Sequence, residues 1–310
     1  MNFFLADSFM RYSTQTEFEE FYQQELKYRL REVDKVRKKI LFNDSVIIFI
    51  MSVCFIAEAM TWMLIGMVLL ALFIFWYTKY YRIPFFYLEQ QHEKTIISNV
   101  SRFVFSKFMF DADRYIKLKD MQEGLLITGF PNQYGGKNLV EGNAGTMHMQ
   151  ISEVHSESKN EAKGINRVHF NGIAGVAKFP IATAEKIIIA SEIDLHKSLD
   201  LPLITDERPD KKSSLFIAYN DKGNFEKLVT PSLLLLIKNF MEFSNSQIII
   251  SITPDGVFAG IESSSENKIS TNLFHSLVSK KTAESYYIKL NFLFELFKSV
   301  EKRQFEKLPG

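Results

Sequence analysis

Glu153 and His155 stand two residues apart in Ile151-Ser-Glu-Val-His155, downstream of Met147 and Met149. That alternation predicts a strand over 147–154, and on a strand the spacing puts both side chains on one face. A carboxylate beside an imidazole orients the ring or raises its pKa, which is one element of acid–base chemistry. No nucleophile accompanies the pair, and a structural hydrogen bond at a strand end uses the same residues. Glu153 and His155 are therefore candidate catalytic residues without a catalytic constellation around them.

A second polar group is Phe110-Asp-Ala-Asp-Arg-Tyr115, followed by Asp120 and Glu123. Hard oxygen donors at alternate positions suit magnesium or calcium, so Asp111, Asp113 and Asp120 are the candidate metal ligands. The glycine and terminal glutamate of a calcium loop are missing, and helix capping with an internal Asp–Arg pair accounts for the same residues. Gly135-Gly136-Lys137-Asn138 misses a phosphate loop: the first glycine is out of place and Asn138 stands where Ser or Thr would hold magnesium. A glycine-rich surface turn is the expectation there. Gly172 to Lys178 fails the same test. No nucleophile elbow, zinc-binding helix or dinucleotide fingerprint occurs, and no cofactor is expected.

The elements that must position these groups are of both kinds. Short strands are expected at Leu125–Thr128, Met147–Val154, Val168–Phe170, Lys186–Ile193, Leu215–Ala218, Ile248–Ile252 and Val257–Ile261. Thr253-Pro-Asp-Gly256 reads as the turn joining the last two into a hairpin. Helices are expected over Thr16–Ile40, Phe85–Phe105, Leu233–Phe243 (started by Thr230-Pro231) and Thr282–Gln304. The last carries Tyr286, Leu290, Leu293, Phe297 and Val300 on one stripe. The class is α+β, with a mixed, partly antiparallel sheet and packed helices. Lys+Arg of 37 against Asp+Glu of 36 leaves +1, so no nucleic acid partner is implied. The lone cysteine, Cys54, excludes an internal disulfide framework.

Val46 to Tyr77 is almost wholly apolar, with Glu58 its one charge. One span needs about 20 residues, and borrowing from 41–45 and 78–80 brings the run near two. In a single span Glu58 would cost about 3 kcal/mol at the bilayer centre; in a hairpin, Ala57–Thr61 becomes the far-side turn. Basic residues flank both ends (Lys35, Arg37, Lys38 and Lys39 before; Lys79 and Arg82 after), which places both ends on the cytosolic side. The expected organisation is a cytosolic amphipathic helix over 1–40, a transmembrane hairpin over 41–80 and a cytosolic α+β domain over 81–310. A single long or tilted span and a fully buried soluble helical hairpin are the alternatives.

Several stretches resemble the bacterial inner-membrane family catalogued as domain-of-unknown-function family 3137. They are Ser106–Phe110, Asp113–Tyr115, Asp120 with Gly124, Ser152–His155, Phe170–Ile173 running to Ala177–Phe179, Phe216–Tyr219 and Leu228–Leu233. The resemblance implies two inner-membrane helices and a large cytosolic domain. It implies no activity, substrate or catalytic residue.

The functional expectation is a membrane-anchored interaction or scaffold protein, multi-pass in the inner membrane, with both termini cytosolic. Its expected partners are the lipid bilayer and another membrane or cytosolic protein, and an oligomer is open. The alternatives are a membrane-surface enzyme in which Asp111, Asp113, Glu153 and His155 converge, and a transport accessory subunit.

Overall fold

The computed structural model describes residues 12–58, 68, 71–73, 75–77, 79, 83–127, 130–160, 165–181, 186–191, 203–205, 215–219, 222–262 and 274–305. The chain forms two compact units that do not follow the divisions at 40 and 80. Unit 1 comprises Met1–Asn99 and Ile269–Glu284; unit 2 comprises Val100–Lys268 and Ser285–Gly310.

Unit 1 is helical. Helix α1 (Tyr12–Phe21) leads through a π-helical turn (Tyr22–Leu26) into α2 (Lys27–Glu58), and α3 begins at Ile83 and runs to Val104. Lys27 closes the wide turn by donating its N–H to the Tyr22 carbonyl five residues back. Phe18, Tyr22, Leu26, Leu30 and Val33 are buried, as their helical spacing predicts. Val33, Ile40, Leu88 and Leu277 share one core cluster, against which Leu41 and Phe85 pack.

Helix α2 corrects the membrane expectation. It runs without a break through Ile40, joining a charged half (Lys27 to Asp44) to an apolar half (Val46 to Ala57). The apolar half is well short of the roughly 20 residues that a span requires. Among the described residues no helix is long and apolar enough to cross a membrane. This overturns the transmembrane hairpin over 41–80, and with it the multi-pass inner-membrane placement with cytosolic termini and domain. Most of 59–82, including the second half of the expected turn, lies outside the described residues.

Unit 2 is built on a nine-stranded sheet in the order β1-β2-β3-β4-β9-β8-β5-β7-β6. The strands are β1 (Met109–Asp111), β2 (Gln133–Ala144), β3 (Met147–Asn160), β4 (Ile165–Lys178), β5 (Ile187–Ala190), β6 (Leu203–Thr205), β7 (Phe216–Tyr219), β8 (Ile248–Thr253) and β9 (Gly256–Glu262). Every pairing is antiparallel, so the expected mixed sheet is corrected while the α+β class stands. The β8–β9 hairpin turns at Gly256, whose φ of +147° excludes most side chains. Leu125–Thr128, expected as a strand, is a turn and bend as far as Ile127 and follows the short helix α4 (Leu118–Glu123).

Alternation sorts the sheet into two faces. Phe170, Ala174, Val176, Ile188, Ala218, Ile249 and Phe258 form one cluster with Ile116, Met121, Leu126 and Ile127 of the segment around α4. The other face carries Met149, Ile151, Ile173, Gly175 and Ala259, in register across β3, β4 and β9. The portion of α7 (Lys280–Phe305) in unit 2 covers it: a Cβ on Gly175 would lie 2.9 Å from the Phe297 ring and 3.3 Å from Leu293. Helix α5 (Lys222–Leu228) precedes α6 (Pro231–Ser244), which Thr230 caps by accepting the Leu233 N–H at 3.2 Å. The Phe240 ring of α6 stacks on Phe292 of α7 at 3.9 Å between centroids.

A candidate functional site around Glu153

The β2–β3 hairpin turns through Gly145 (φ +68°), which supplies the left-handed residue of a two-residue loop. Its register slips between Lys137 and Val140, and Asn138 sits in this bulge at φ +63°. Two main-chain bonds stitch the bulge to the preceding segment: Asn138 N–H to the Ala112 carbonyl and Leu139 N–H to the Arg114 carbonyl, both 3.0 Å. The bulge brings Asn138 inward, where it is buried, and aims its amide at Glu153. Gly135-Gly136-Lys137 is therefore strand and bulge, not the surface turn expected.

Glu153 lies on the face that α7 covers. Its Oε1 accepts from Asn138 Nδ2 at 3.4 Å, and its Oε2 lies 3.9 Å from Lys137 Nζ, both long contacts. The third group is Lys289 of α7, only 4% exposed. Burial pushes its amine below the ordinary lysine range, while the Glu153 carboxylate pulls it back up. Among the described residues, no hydrogen bond or ion pair reaches that amine. Lys289 was missed from the sequence. The signal was there: it sits three residues after Tyr286 and four before Leu293, in line with a stripe that is otherwise apolar.

His155 shares the Glu153 face but pairs elsewhere, its Nε2 lying 3.6 Å from Glu157 Oε2. Asp111 Oδ1 accepts the Asp113 N–H at 3.0 Å, a local turn bond. Asp120 binds Lys178, which is also 3.8 Å from Glu123. The Asp120 hydrogen bond holds the Lys178 amine above its usual range, against the opposing effect of burial. Asp120 belongs to α4, which covers the opposite sheet face from Glu153. The structure thus brings Glu153, Lys137 and Asn138 into contact, leaves the Lys289 amine near enough to feel the Glu153 charge, and separates Glu153 and His155 from Asp120. Among the described residues no group of three or more His, Cys, Asp or Glu is placed to hold a metal ion.

No family model and no curated protein matches the chain. The crystal structure of the mycobacterial trehalose monomycolate transport factor A is similar to 67% of this chain and 96% of its own, with a TM-score of 0.32 and 8% identity. At that score the likeness carries no weight for either fold or function.

Proposed function

We propose that this is a non-catalytic interaction protein whose helical unit binds another protein through the apolar side of α2. One observation carries the reading. Phe42, Val46 and Phe49 recur at helical spacing and are 69%, 41% and 70% exposed, while Ile40 and Asp44 on the opposite side are buried. A contiguous aromatic and aliphatic stripe left in water marks a surface that another molecule covers, and an amphipathic partner helix presents matching anchors.

The enzyme reading needed Asp111, Asp113, Glu153 and His155 to converge. It loses support from the turn bond that occupies Asp111 and from the pairing of His155 with Glu157. The transport accessory reading leaned on the apolar span and has no separate support. The family resemblance stays a proposal resting on its ordered sequence blocks, among them Ala177–Phe179 at the end of β4 and Phe216–Tyr219 as β7.

A photo-crosslinking residue at Phe49 tests the reading in living cells. One discrete adduct with a second protein is expected, lost when Phe42→Asp is added. Adducts with lipid alone, or with another copy of this chain alone, would refute a heterologous protein partner.

A further inference from the structure

Helix α2 continues its exposed stripe past the apolar half. Stepping back from Phe49, Val46 and Phe42 by three and four residues in turn reaches Lys39 and Lys35, both exposed. That alternation keeps to one narrow line along a helix, which is the seam of a helix pair. Exposed Ser45 and Ser52 border the apolar part on one side, with Ile48 beyond them, and Asn43 borders it on the other. The seam is therefore narrower than the broad apolar face that an interfacial helix lays into a membrane.

The basic end sets the chemistry of what covers it. Arg31, Lys35, Lys38 and Lys39 are exposed on this side of α2, and Glu32 is the acid among them. Lys35 lies 2.6 Å from Glu32, and Lys38 lies 3.4 Å from the Asp34 carboxylate, which the buried Arg37 already neutralises. An excess of positive charge thus stands one to two turns from Phe42. A second copy of this chain does not suit it. Two copies in parallel would stack these lysines on their own kind, and an antiparallel pair centred on the stripe would set Lys39 against the turn of Phe49 and Ser52 with no acid to meet it. We propose that the protein partner of α2 is an amphipathic helix with acidic residues one to two turns beyond its apolar anchors. The anchors lie along Phe42, Val46 and Phe49, and the carboxylates face Lys35 and Lys39. This rests on the reading of α2 as a protein-binding surface. The apolar part supplies the burial; the charges fix the partner's direction and exclude helices with a basic end, which would meet like charge.

The test follows the fluorescence anisotropy of labelled peptides of about three heptads titrated with the full-length chain. One peptide has leucine along the core line of two heptads and glutamate along that of the third; its mate has lysine in place of glutamate. The glutamate peptide is expected to bind at least about tenfold tighter than its mate, with the gap closing as salt is raised. Lys35→Glu combined with Lys39→Glu should reverse the preference, and both sites are exposed, so the fold tolerates the change. Phe49→Asp should abolish binding of both peptides. Equal binding of the two peptides, lost in Phe49→Asp, overturns the acidic partner and leaves the interaction reading standing. Binding of neither peptide, or binding indifferent to Phe49→Asp, overturns both. Phosphatidylglycerol vesicles that displace the glutamate peptide would overturn both in favour of a lipid surface.

Discussion

The Asp34 carboxylate accepts the main-chain N–H of Leu277 at 3.0 Å, tying α2 to a segment 243 residues further along the chain. The same Oδ1 accepts from Arg37 Nε at 2.7 Å, and Lys38 lies 3.4 Å from Oδ2. Asp34 and Arg37 are both buried, so neither charge has water to fall back on. Asp34→Ala should destabilise unit 1 by about 3–5 kcal/mol, because it removes the buried carboxylate that both the Arg37 guanidinium and the Leu277 N–H bond to. Asp34→Asn keeps an acceptor for Leu277 and should cost less. Burial acts to raise the Asp34 pKa, but the bonds from Arg37, Leu277 and Lys38 outweigh it and the net direction is down. Its contribution is therefore present above the unfolded value of about 4 and lost as pH falls through the lower folded value. Thermal melts of wild type and Asp34→Asn across that acid range should converge; parallel curves would refute the assignment.

The carbonyl of Leu277 is held as well, by His92 Nε2 at 3.1 Å, so this nitrogen carries the proton and donates. Burial holds the imidazole below its ordinary range, against smaller opposing effects from Leu277, Glu93 and Asp34. The unfolded chain then takes up this proton first, and stability falls as pH drops from about 6.5 through the folded value. His92→Gln keeps a donor and has no proton to gain. Its stability should be flat across that window, where the wild type slopes; an unchanged slope would mean another group titrates.

Asp44 has the opposite sign. It is 8% exposed, neither oxygen has a hydrogen-bond partner, and burial raises its pKa. The folded state holds this proton more tightly than the unfolded one, so stability is fullest below the unfolded value and is lost as pH rises through the raised folded value. Asp44→Leu should raise the midpoint of thermal unfolding at neutral pH, by about 1–3 kcal/mol of stability, with a smaller gain in acid. A drop in stability at neutral pH would show that the carboxylate has a stabilising role.

Periodicity exposed much of this architecture and concealed the part that matters for the site. The helix of Thr282–Gln304, the Thr230 cap and the β8–β9 hairpin were legible, because apolar spacing and turn residues act locally. Strand β2 was not, since Gly135 and Gly136 read as turn, whereas Gly136, like Gly142 further along the strand, is glycine for lack of space. A Cβ on Gly136 or Gly142 would enter the Glu153 carbonyl or the Phe108 ring. Hydropathy of Val46–Tyr77 summed residues without regard to α2, which spends its first half on charge. Glu153 was visible as a candidate but its neighbours were not, because Lys289 comes near it only through the docking of α7 on the sheet.

That docking supplies the next expectation. Tyr286, Leu290, Leu293, Phe297 and Val300 are all buried, and Leu293 and Phe297 lie against Gly175 of β4. Leu293→Asp places a carboxylate there and should leave unit 2 unfolded and sensitive to protease. Lys298 is exposed with its amine 4.6 Å from the Phe294 ring centroid, so Lys298→Ala should cost no more than about 1 kcal/mol. Limited proteolysis of both variants separates these outcomes, and a resistant Leu293→Asp would refute the packing described.

Gly135 and Gly136, adjacent on β2, should respond oppositely to the same methyl group. At Gly136 an added Cβ would lie 2.3 Å from the Glu153 carbonyl oxygen and 2.7 Å from the Tyr115 Cβ. The nearer obstacle is backbone, which cannot rotate away, so Gly136→Ala must part β2 from β3 where Gly136 pairs with Val154. A loss of about 1–3 kcal/mol is expected, with amide shifts spreading through Lys137 and Glu153. At Gly135 the Cβ points into open space, and alanine there narrows the unfolded chain's freedom at no steric cost. Gly135→Ala should leave stability unchanged or raise it by up to about 1 kcal/mol. Chemical denaturation of the two single variants decides the matter: equal losses would mean that the space over Gly135 is filled, and that β2 is not placed as described.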